Sequence, residues 1–436
     1  MTRTLTTKLL LLCCMVLGCL QMQAQGWEKK YSPDVVMAIN TVVPTADGNY
    51  LVTGWNIGGN YSAQRVMKIA GNGDVVWKSD IDSFHNPGAA NVTQEGGIVI
   101  LGNNQSGHRN LAKIDGNGNM VWMQRVLPYN VNGGGTGNMD IDTTDNKGFI
   151  AVFPAYDSAL LANTLYVNRF DSNGNSIWGK TYYTPSDTPA VCYAICNSKD
   201  GGFIVTTAKS GQLGLYLFKV DSAGNKVWEY NPPHAQNWIS ASIGHDGNIL
   251  LLSTDFGGGD NAISKINQQG QLLWRQAYAF ADTAGWGWYG HVEEKNNGEL
   301  SVMVTGYDTI NIPGYLATTR AEAFALTRVD TLGHLIRYRQ ISTVNLGSNA
   351  GLYEITGKAI ATSHEGGVIF GGWLQYDPQN YSAYLIKADS NGQVYPTTLS
   401  GYVYGDNNNN CNKDTDEIFL KPVNVTLTSP LLIRSL

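Results

Sequence analysis

The chain carries little charge: Asp, Glu, Lys and Arg make up 15% of its 436 residues, while 43% of the residues are hydrophobic. This balance excludes a disordered polar chain, because such chains lack the apolar residues needed for a core. It also excludes a long coiled coil, which is rich in Glu, Lys, Leu and Arg. The formal net charge is −6, so the composition offers no basic surface of the kind that binds nucleic acid.

Long apolar runs are also missing, apart from one at the N-terminus. There, Arg3 and Lys8 precede the twelve apolar residues 9–20, and Ala24 offers a cleavage site. This run is too short to span a bilayer and is typical of a secretory signal, so residues 1–24 are expected to be removed on export. The alternative is a lipoprotein signal, in which Cys19 carries the lipid anchor. Both signals predict a protein that is secreted or held at the outer cell surface, with no transmembrane segment.

Cysteine is scarce in the remainder of the chain, which contains only Cys192, Cys196 and Cys411. Three cysteines cannot form a disulfide framework in a chain of this length. Cys192 and Cys196 lie four residues apart in a predicted strand, which separates them by roughly 13 Å, too far for a bridge. We expect both to be small buried hydrophobic residues.

Glycine, in contrast, is abundant, with 50 residues, and much of it belongs to a repeated motif. The motif, called motif one here, has a basic residue, an apolar residue, usually Asp, then Gly three positions later, and an aliphatic residue before Trp. Its copies are KIAGNGDVVW (68–77), KIDGNGNMVW (113–122), RFDSNGNSIW (169–178), KVDSAGNKVW (219–228), KINQQGQLLW (265–274), RVDTLGHLIR (328–337) and KADSNGQVYP (387–396). Motif one predicts a β-hairpin, because Gly supplies the positive φ of a tight turn and Asp can accept bonds from nearby backbone N–H groups. We expect the Trp ring on the outgoing strand to pack between neighbouring sheets.

A second motif alternates with the first and consists of a Gly turn followed by an aliphatic strand. Its seven copies begin at residues 47, 95, 147, 200, 246, 297 and 365. Two hairpin turns imply four strands in each unit of about 50 residues, and seven four-stranded units are the signature of a β-propeller. The segment Trp27–Tyr31 matches the outer strand Trp178–Tyr182, and the last copy of motif one lacks such a strand. The sequence therefore predicts an all-β, seven-bladed β-propeller over residues 25–398, closed by the N-terminal strand. An open array, or a different count at blades six and seven, is the alternative.

The pattern changes after about residue 399. Six side chains occupy positions 1, 3, 5, 7, 9 and 12 of a twelve-residue loop: Asp406, Asn408, Asn410, Asn412, Asp414 and Glu417. This is the oxygen-ligand spacing of a Ca²⁺ loop of the EF-hand type, with Cys411 where Gly usually stands. Ca²⁺ is therefore the expected cofactor, and a solvated polar turn is the alternative. The flanking residues are typical of strands and predict the start of a truncated C-terminal β-sandwich module over 399–436.

Two resemblances follow from these motifs. The region 26–398 resembles the repeat proteins that bacteria secrete through the type IX system. It is also loosely similar to the quinoprotein-type repeat A-x-D-x-x-T-G-x-x-x-W, although Asp is one position off and Thr is missing. Residues 399–436 resemble the start of the B-type repeats of surface adhesins, a prealbumin-like sandwich with calcium loops. These resemblances imply an adhesin-like or display role at the cell surface.

Residues that break the repeat are the better functional candidates, because a periodic residue serves the scaffold. Trp286, Trp288, Tyr289 and His291 form an aromatic cluster in blade six that suits sugar stacking or a protein contact. Packing of these rings between blades is the alternative. The stretches 307–315 and 376–381 are further tyrosine-bearing insertions, and if all three lie on one face, that face binds the ligand.

The sequence thus predicts a non-enzymatic propeller that binds or displays an extracellular glycan or protein, or acts as a spacer. The alternatives are a polysaccharide-acting enzyme (a glycosidase or lyase) and a quinoprotein-like dehydrogenase. The dehydrogenase is disfavoured because seven blades are counted rather than eight, and because the vicinal pair Cys13-Cys14 lies in the signal. A sialidase is disfavoured because Asp171 and Gly174 are three residues apart, one more than its Asp-box requires.

Overall fold

A computed structural model describes the fold of residues 26–31, 37–56, 63–82, 84, 86–104, 106–126, 139–157, 162–182, 189–209, 215–231, 235–255, 261–278, 286–310, 319–342, 359–377, 380–394, 398–399 and 425–426. All regular elements in these ranges are β-strands. They form seven four-stranded antiparallel sheets and one two-stranded pair. The described part of the chain contains no apolar helix of membrane-spanning length.

The strands follow the repeat of the sequence. The first strand is β1 (Trp27–Tyr31), and the strands of each blade are given with the innermost first. Blade one contains β2 (Met37–Pro44), β3 (Tyr50–Asn56), β4 (Gln64–Ile69) and β5 (Val75–Ile81), and blade two contains β6 (Asn86–Val92), β7 (Ile98–Asn103), β8 (Arg109–Ile114) and β9 (Met120–Arg125). Blade three contains β10 (Asp140–Thr143), β11 (Phe149–Asp157), β12 (Ala162–Phe170) and β13 (Ser176–Thr181). Blades four and five contain β14 (Pro189–Asn197), β15 (Phe203–Lys209), β16 (Leu215–Val220) and β17 (Lys226–Tyr230); and β18 (Ala235–Ile243), β19 (Ile249–Asp255), β20 (Asn261–Ile266) and β21 (Leu272–Tyr278). Blade six contains β22 (Trp286–Glu294), β23 (Leu300–Ile310), β24 (Thr319–Val329) and β25 (Leu335–Ser342), and blade seven contains β26 (Ala359–Thr362), β27 (Val368–Asp377), β28 (Asn380–Ala388) and β1.

The blades form a closed ring. The first strand of each blade contacts the first strand of the next, and β2 contacts β26, so blade one adjoins blade seven. The strand β1 pairs antiparallel with β28, with Trp27 opposite Lys387 and Tyr31 opposite Ala383. The predicted seven-bladed propeller and its closure by the N-terminal strand are confirmed. Between neighbouring blades lie the aliphatic and aromatic clusters that form the core.

Motif one forms the expected hairpins. The central Gly of every copy has a positive φ, for example 90° at Gly118 and 80° at Gly174. The Asp that opens the turn accepts backbone N–H groups two and four residues on, as Asp171 does from Asn173 and Asn175 at 2.9 and 2.8 Å. Six hairpins carry a one-residue β-bulge just before the Trp position. The bulge leaves an aliphatic residue exposed and turns the Trp side chain towards the next blade.

The Trp side chains join each blade to the one that follows. The indole N–H groups of Trp27, Trp77, Trp178 and Trp228 donate to a carbonyl in the motif-one turn of the next blade, at 2.8–3.0 Å. The same rings lie over the turn glycine: a Cβ built on Gly224 would be 2.9 Å from Cζ3 of Trp178. Glycine is therefore required at this position both for its φ and for the space that the indole occupies.

The basic residue that opens motif one has a role that the sequence reasoning missed. Lys68 pairs with Asp47 at 2.7 Å, and Lys265 pairs with Asp246 at 2.7 Å, each acid standing in the motif-two turn of the same blade. These ammonium groups are largely buried, since the lysine side chains in the five such pairs are only 2–13% exposed. The pairing satisfies a charge that could not otherwise be buried at low cost. The shared acid–base pattern of the two motifs was the available signal.

Blade three departs from the pattern of motif two. Lys147 stands where the other six copies have Gly, and it is the one non-glycine residue in the described ranges with a positive φ, at 59°. Its ammonium lies 3.5 Å from Glu95 of blade two. A side chain in this left-handed conformation costs roughly 1 kcal/mol.

The antiparallel order of the strands divides the ring into two edges. The motif-two turn joins the first and second strands of a blade, and the motif-one turn joins the third and fourth, so both kinds of turn lie at the same edge, here called the turn edge. The connections between second and third strands, and those between blades, leave at the opposite edge, here called the loop edge. The repeated residues therefore occupy the turn edge, and the insertions of variable length belong to the loop edge.

After blade seven the structure describes only a short pair of strands, β29 (Thr398–Leu399) and β30 (Val425–Thr426). The loop that carries the proposed calcium ligands from Asp406 to Glu417 lies outside the described residues. The C-terminal sandwich module and the signal segment 1–24 therefore stay predictions.

Candidate functional site

The aromatic cluster of blade six lies at the loop edge. Trp286, Trp288 and Tyr289 occupy the first half of β22, where this innermost strand begins. Trp286 pairs with Gly306 and Gly290 with Val304, so the three residues between Trp286 and Gly290 face a single residue of β23. Such a bulge bends the strand and redirects side chains, and bulges are common beside functional sites.

The two further insertions reach the same edge. Tyr307 lies near the loop-edge end of β23, and Tyr376 lies near the loop-edge end of β27 in the neighbouring blade. The middle strands of blade six are 11 residues long, against six or seven in blades one and two. At about 3.3 Å per residue, the extra four residues carry the blade-six hairpin roughly 13 Å further at the loop edge. By strand topology, the described parts of the insertions, 307–310, 376–377 and 380–381, lie at one edge. The parts 311–315 and 378–379 lie outside the described residues.

Two tryptophans that the sequence analysis overlooked belong to the same edge. Trp55 is the penultimate residue of β3 in blade one, and Trp373 stands at the equivalent position of β27 in blade seven, each directly after a Gly. The indole of Trp55 is 37% exposed. No other copy of motif two has Trp at this position, which is the signal that could have identified them. Because blade one adjoins blade seven, aromatic residues line the loop edge of three consecutive blades. We call the set of Trp55, Trp286, Trp288, Tyr289, Tyr307, Trp373 and Tyr376 the loop-edge aromatics.

His291 follows the aromatic cluster along β22 and forms an ion pair in the same strand. Its Nε2 lies 3.7 Å from Oε2 of Glu293, and the two side chains are 31% and 41% exposed. Burial acts to raise the pKa of Glu293, but the interaction with His291 and the charge of Lys295 outweigh it and bring the pKa to about 2. Glu293 is therefore a permanent anion near the turn-edge end of β22, away from the loop-edge aromatics. The adjacent Glu294 turns the other way, towards His245 and Lys265 of blade five, as expected for neighbours in a strand.

A second group of inner-strand carboxylates lies in blade three. Asp140 and Asp142 on β10 accept the backbone N–H groups of Ile195 and Asn197 in blade four, both at 2.8 Å. Asn91 of blade two also donates to Asp142, at 2.9 Å. Burial is the main cause that raises the pKa of Asp140 to about 7. The hydrogen bond from Ile195 lowers this pKa, while the negative charge of Asp142 raises it further. These carboxylates hold three blades together.

The environment of Cys196, which lies near Asp140 and Asp142, fits a structural role for these carboxylates. The thiol of Cys196 is free and buried, and burial, together with the two aspartates, raises its pKa. It is therefore a packing residue, as the sequence predicted. Within the described ranges, no three His, Cys, Asp or Glu side chains are grouped so that they could hold a metal ion.

Comparison with known proteins establishes the fold. No protein-family model matches the chain, and no curated protein matches it in sequence. Its structure is similar to that of the lectin BP39L from Burkholderia pseudomallei, with 12% identity, a TM-score of 0.51, and coverage of 90% of this chain and 98% of the lectin. Other similar structures are the Pan2 WD40 domain of Neurospora crassa (9% identity, TM-score 0.47, 84% and 96% coverage) and a protein from Lactobacillus plantarum (13%, 0.49, 79% and 97%). At 12% identity, the likeness to the lectin shows the propeller fold alone.

Proposed function

We propose that this protein is an exported, non-enzymatic propeller that binds an extracellular glycan at the loop edge of blades six, seven and one. The observation that carries the proposal is the convergence of the loop-edge aromatics. They come from segments more than 300 residues apart, and ring closure brings their strands to one edge. A scaffold alone does not require Trp at the position of Trp55 and Trp373, where the other five copies of motif two have none.

The chemistry of the site favours a sugar over an apolar ligand. Flat aromatic rings stack on the C–H faces of sugar rings, while their N–H and O–H groups bind hydroxyls. His291, two residues after Tyr289 on β22, adds a polar group to this part of the strand. One solved structure that shares this fold is a lectin, so the architecture is compatible with sugar recognition. An extracellular protein is the other ligand class, since aromatic clusters are also hot spots of protein interfaces.

A polysaccharide-acting enzyme is the second candidate function. Glycoside hydrolysis needs two carboxyl groups about the scissile bond, one of them with a raised pKa. Asp140 has a raised pKa, but it and Asp142 hold backbone N–H groups of blade four. The binding role is therefore the better supported of the two. The enzyme function would be favoured if the wild-type protein released reducing ends from a polysaccharide and the D140N variant did not.

The export and the C-terminal module are part of the same proposal. A signal over residues 1–24 delivers the chain to the cell exterior, either with cleavage after Ala24 or with Cys19 lipidated, and the type IX system is the export route that the repeats resemble. The loop from Asp406 to Glu417 binds Ca²⁺ and stabilises an adhesin-like module after the propeller. Mass spectrometry of the exported protein distinguishes the two signals, because cleavage after Ala24 leaves an N-terminal Gln25 and lipidation leaves a modified Cys19.

A glycan and polysaccharide array tests the ligand class. The purified protein is compared with the double variant W286A/W288A and with L273A, which removes an exposed apolar side chain far from the loop edge. We expect the wild type and L273A to bind the same glycans, and the double variant to lose at least tenfold in affinity. Unchanged binding of W286A/W288A to every ligand would remove the site, and absence of any glycan ligand for the wild type would contradict the glycan proposal.

A further inference from the structure

The interface between blades six and seven differs from every other interface of the ring. Five copies of motif one end in Trp, and Trp27 of β1 stands at the same position in blade seven, but blade six presents Arg337. The residue two positions on, Arg339, occupies the space above the turn glycine, where its Cδ would be 2.8 Å from a Cβ built on Gly392. In the other interfaces an indole lies over this glycine, and in four of them the side chain two positions further on (Lys29, Gln124, Lys180 or Gln276) packs beside it. Here Arg337 stands at the position of the indole, next to Arg339.

Three arginines of blade six converge on one turn of blade seven. Arg337 donates from Nη1 to Oδ1 of Asn391 at 2.7 Å, and Arg339 donates from Nη1 to the carbonyl of Asn391 at 3.0 Å. Arg328 donates to the carbonyl of Ser390 at 3.1 Å, the acceptor that Trp uses in other blades. Arg337 is exposed and Arg339 is half-buried, whereas the side chain of Arg328 is only 12% exposed.

Most of the hydrogen-bonding capacity of the two outer arginines is left over. Each guanidinium has five N–H donors, and Arg337 and Arg339 each make one hydrogen bond to the described residues. Both bonds go to the neutral Asn391. The remaining N–H donors of these two guanidinium groups therefore lie next to one another at the surface of the turn edge.

The carboxylates around this cluster are already engaged. Glu299 lies 3.8 Å from Arg328, behind the two outer arginines. Asp330 pairs with His334 at 2.9 Å, and Asp389 accepts the backbone N–H groups of its own turn at 2.8 Å. Burial lowers the pKa of Arg328, and the charge of Arg337 acts in the same direction, against Glu299. Three arginines are thus concentrated at one interface, although the chain as a whole is acidic.

We propose that Arg337 and Arg339, with Arg328 behind them, form an anion-binding site for the carboxylate or sulfate groups of an acidic polysaccharide. The guanidinium fork matches these planar or tetrahedral oxyanions and binds them through two parallel N–H···O bonds. The other six blades have Trp at the position of Arg337, so the contact between blades does not itself require an arginine there. This site is at the turn edge and is separate from the loop-edge aromatics.

Two variants separate anion binding from the structural role. R337W installs the residue that the other six blades use, which keeps the blade contact while it removes one guanidinium. R337Q/R339Q removes both charges, and K78Q removes an exposed positive charge from the outer strand of blade one as a matched control. Thermal unfolding of each variant verifies that the ring is intact.

Binding is measured by calorimetry with polygalacturonate as the carboxylate probe, dextran sulfate as the sulfate probe and neutral dextran as the blank, at low salt and at 0.15 M salt. We expect the wild type and K78Q to bind at least one acidic polymer, more weakly as salt rises. We expect the affinity for the acidic polymer to fall threefold or more in R337W and tenfold or more in R337Q/R339Q. The affinity of W286A/W288A for this polymer should equal that of the wild type. Whichever acidic polymer binds identifies the group recognised. The proposal is overturned if R337W binds like the wild type, if K78Q loses as much as the arginine variants, or if neither polymer binds. None of these results bears on the loop-edge site.

Discussion

The indole N–H of Trp27 donates a hydrogen bond to the carbonyl of Gly71 at 2.8 Å, across the junction between blade seven and blade one. The strand that carries Trp27 is hydrogen-bonded to β28 of blade seven, while the Trp27 side chain contacts the motif-one turn of blade one. Tyr31 repeats the contact through its hydroxyl, which donates to Gly73 at 2.8 Å. The N-terminal strand thus closes the ring twice, once through its backbone and once through its side chains.

Removal of this contact should destabilise the whole ring. W27A loses a half-buried indole and its hydrogen bond, and we expect the free energy of unfolding in guanidinium chloride to fall by about 2–3 kcal/mol. W27F keeps most of the packing and should lose about 1 kcal/mol. W77A serves as the control, because Trp77 makes the same contact to Gly116 within a continuous stretch of chain. Equal stability of W27A and the wild type would show that the Trp27 side chain does not contribute to closure of the ring.

Two glycines of blade four separate the cost of backbone conformation from that of Trp packing. Gly201 and Gly224 have φ values of 82° and 76°, but a Cβ on Gly201 would meet nothing within 4 Å, whereas one on Gly224 would meet Trp178. G201A should therefore cost about 1 kcal/mol from the backbone alone. G224A should cost about 2–4 kcal/mol, because the indole must also move. Equal losses in the two variants, measured by chemical unfolding, would contradict the packing role of the turn glycine.

The fold could be predicted from the sequence because its determinants are local. Each motif-one hairpin is specified by Gly, Asp and Trp within ten residues, and the orphan strand at Trp27 indicated closure. The pairing of Lys68 with Asp47 was missed because the partners stand in different motifs about 20 residues apart. The task of Asp140 could not be predicted, because its partner is a backbone N–H of another blade, which has no sequence signature.

The candidate site could be predicted only in part, for a similar reason. Composition and broken periodicity identified Trp286 and His291. Whether the late insertions share a face depends on the strand order, and the contribution of blade one depends on ring closure. Trp55 was overlooked because it ends an otherwise regular copy of motif two, although the same Trp recurs only in blade seven.

Asp140 should make stability depend on pH. Its pKa is about 7 in the folded protein against an ordinary value of 3.8, so the folded state binds this proton more tightly than the unfolded state. The resulting stabilisation is fully present below about pH 3.8 and is lost as the pH rises to about 7. D140N keeps an oxygen acceptor for Ile195 but has no charge. The free energy of unfolding of D140N, relative to that of the wild type, should therefore be about 1–3 kcal/mol higher at pH 7.5 than at pH 4, as measured by urea unfolding. A difference that stays constant over this range would show that Asp140 does not titrate there.

The C-terminal loop should bind Ca²⁺ through its acidic ends. Calorimetry on the full chain should show one site, with a dissociation constant on the order of 10⁻⁴–10⁻³ M as for extracellular modules. D406A/E417A should abolish it, because these residues stand at the first position and at the bidentate twelfth position. D115N, which changes an exposed turn aspartate of the propeller, is the control. If D406A/E417A takes up Ca²⁺ as the wild type does, the loop is a solvated turn.

Hydrogen exchange with and without a glycan found on the array tests the central proposal most directly, because it locates the ligand without any substitution. We expect protection at the loop edge, in peptides covering 286–291, 305–310 and 373–377, and at Trp55 of blade one. Peptides of the turn edge, such as 219–228, should exchange at the same rate in both samples. Protection confined to the turn edge or to the turn 389–392, with none over 286–291, would contradict the assignment of the loop edge as the binding site.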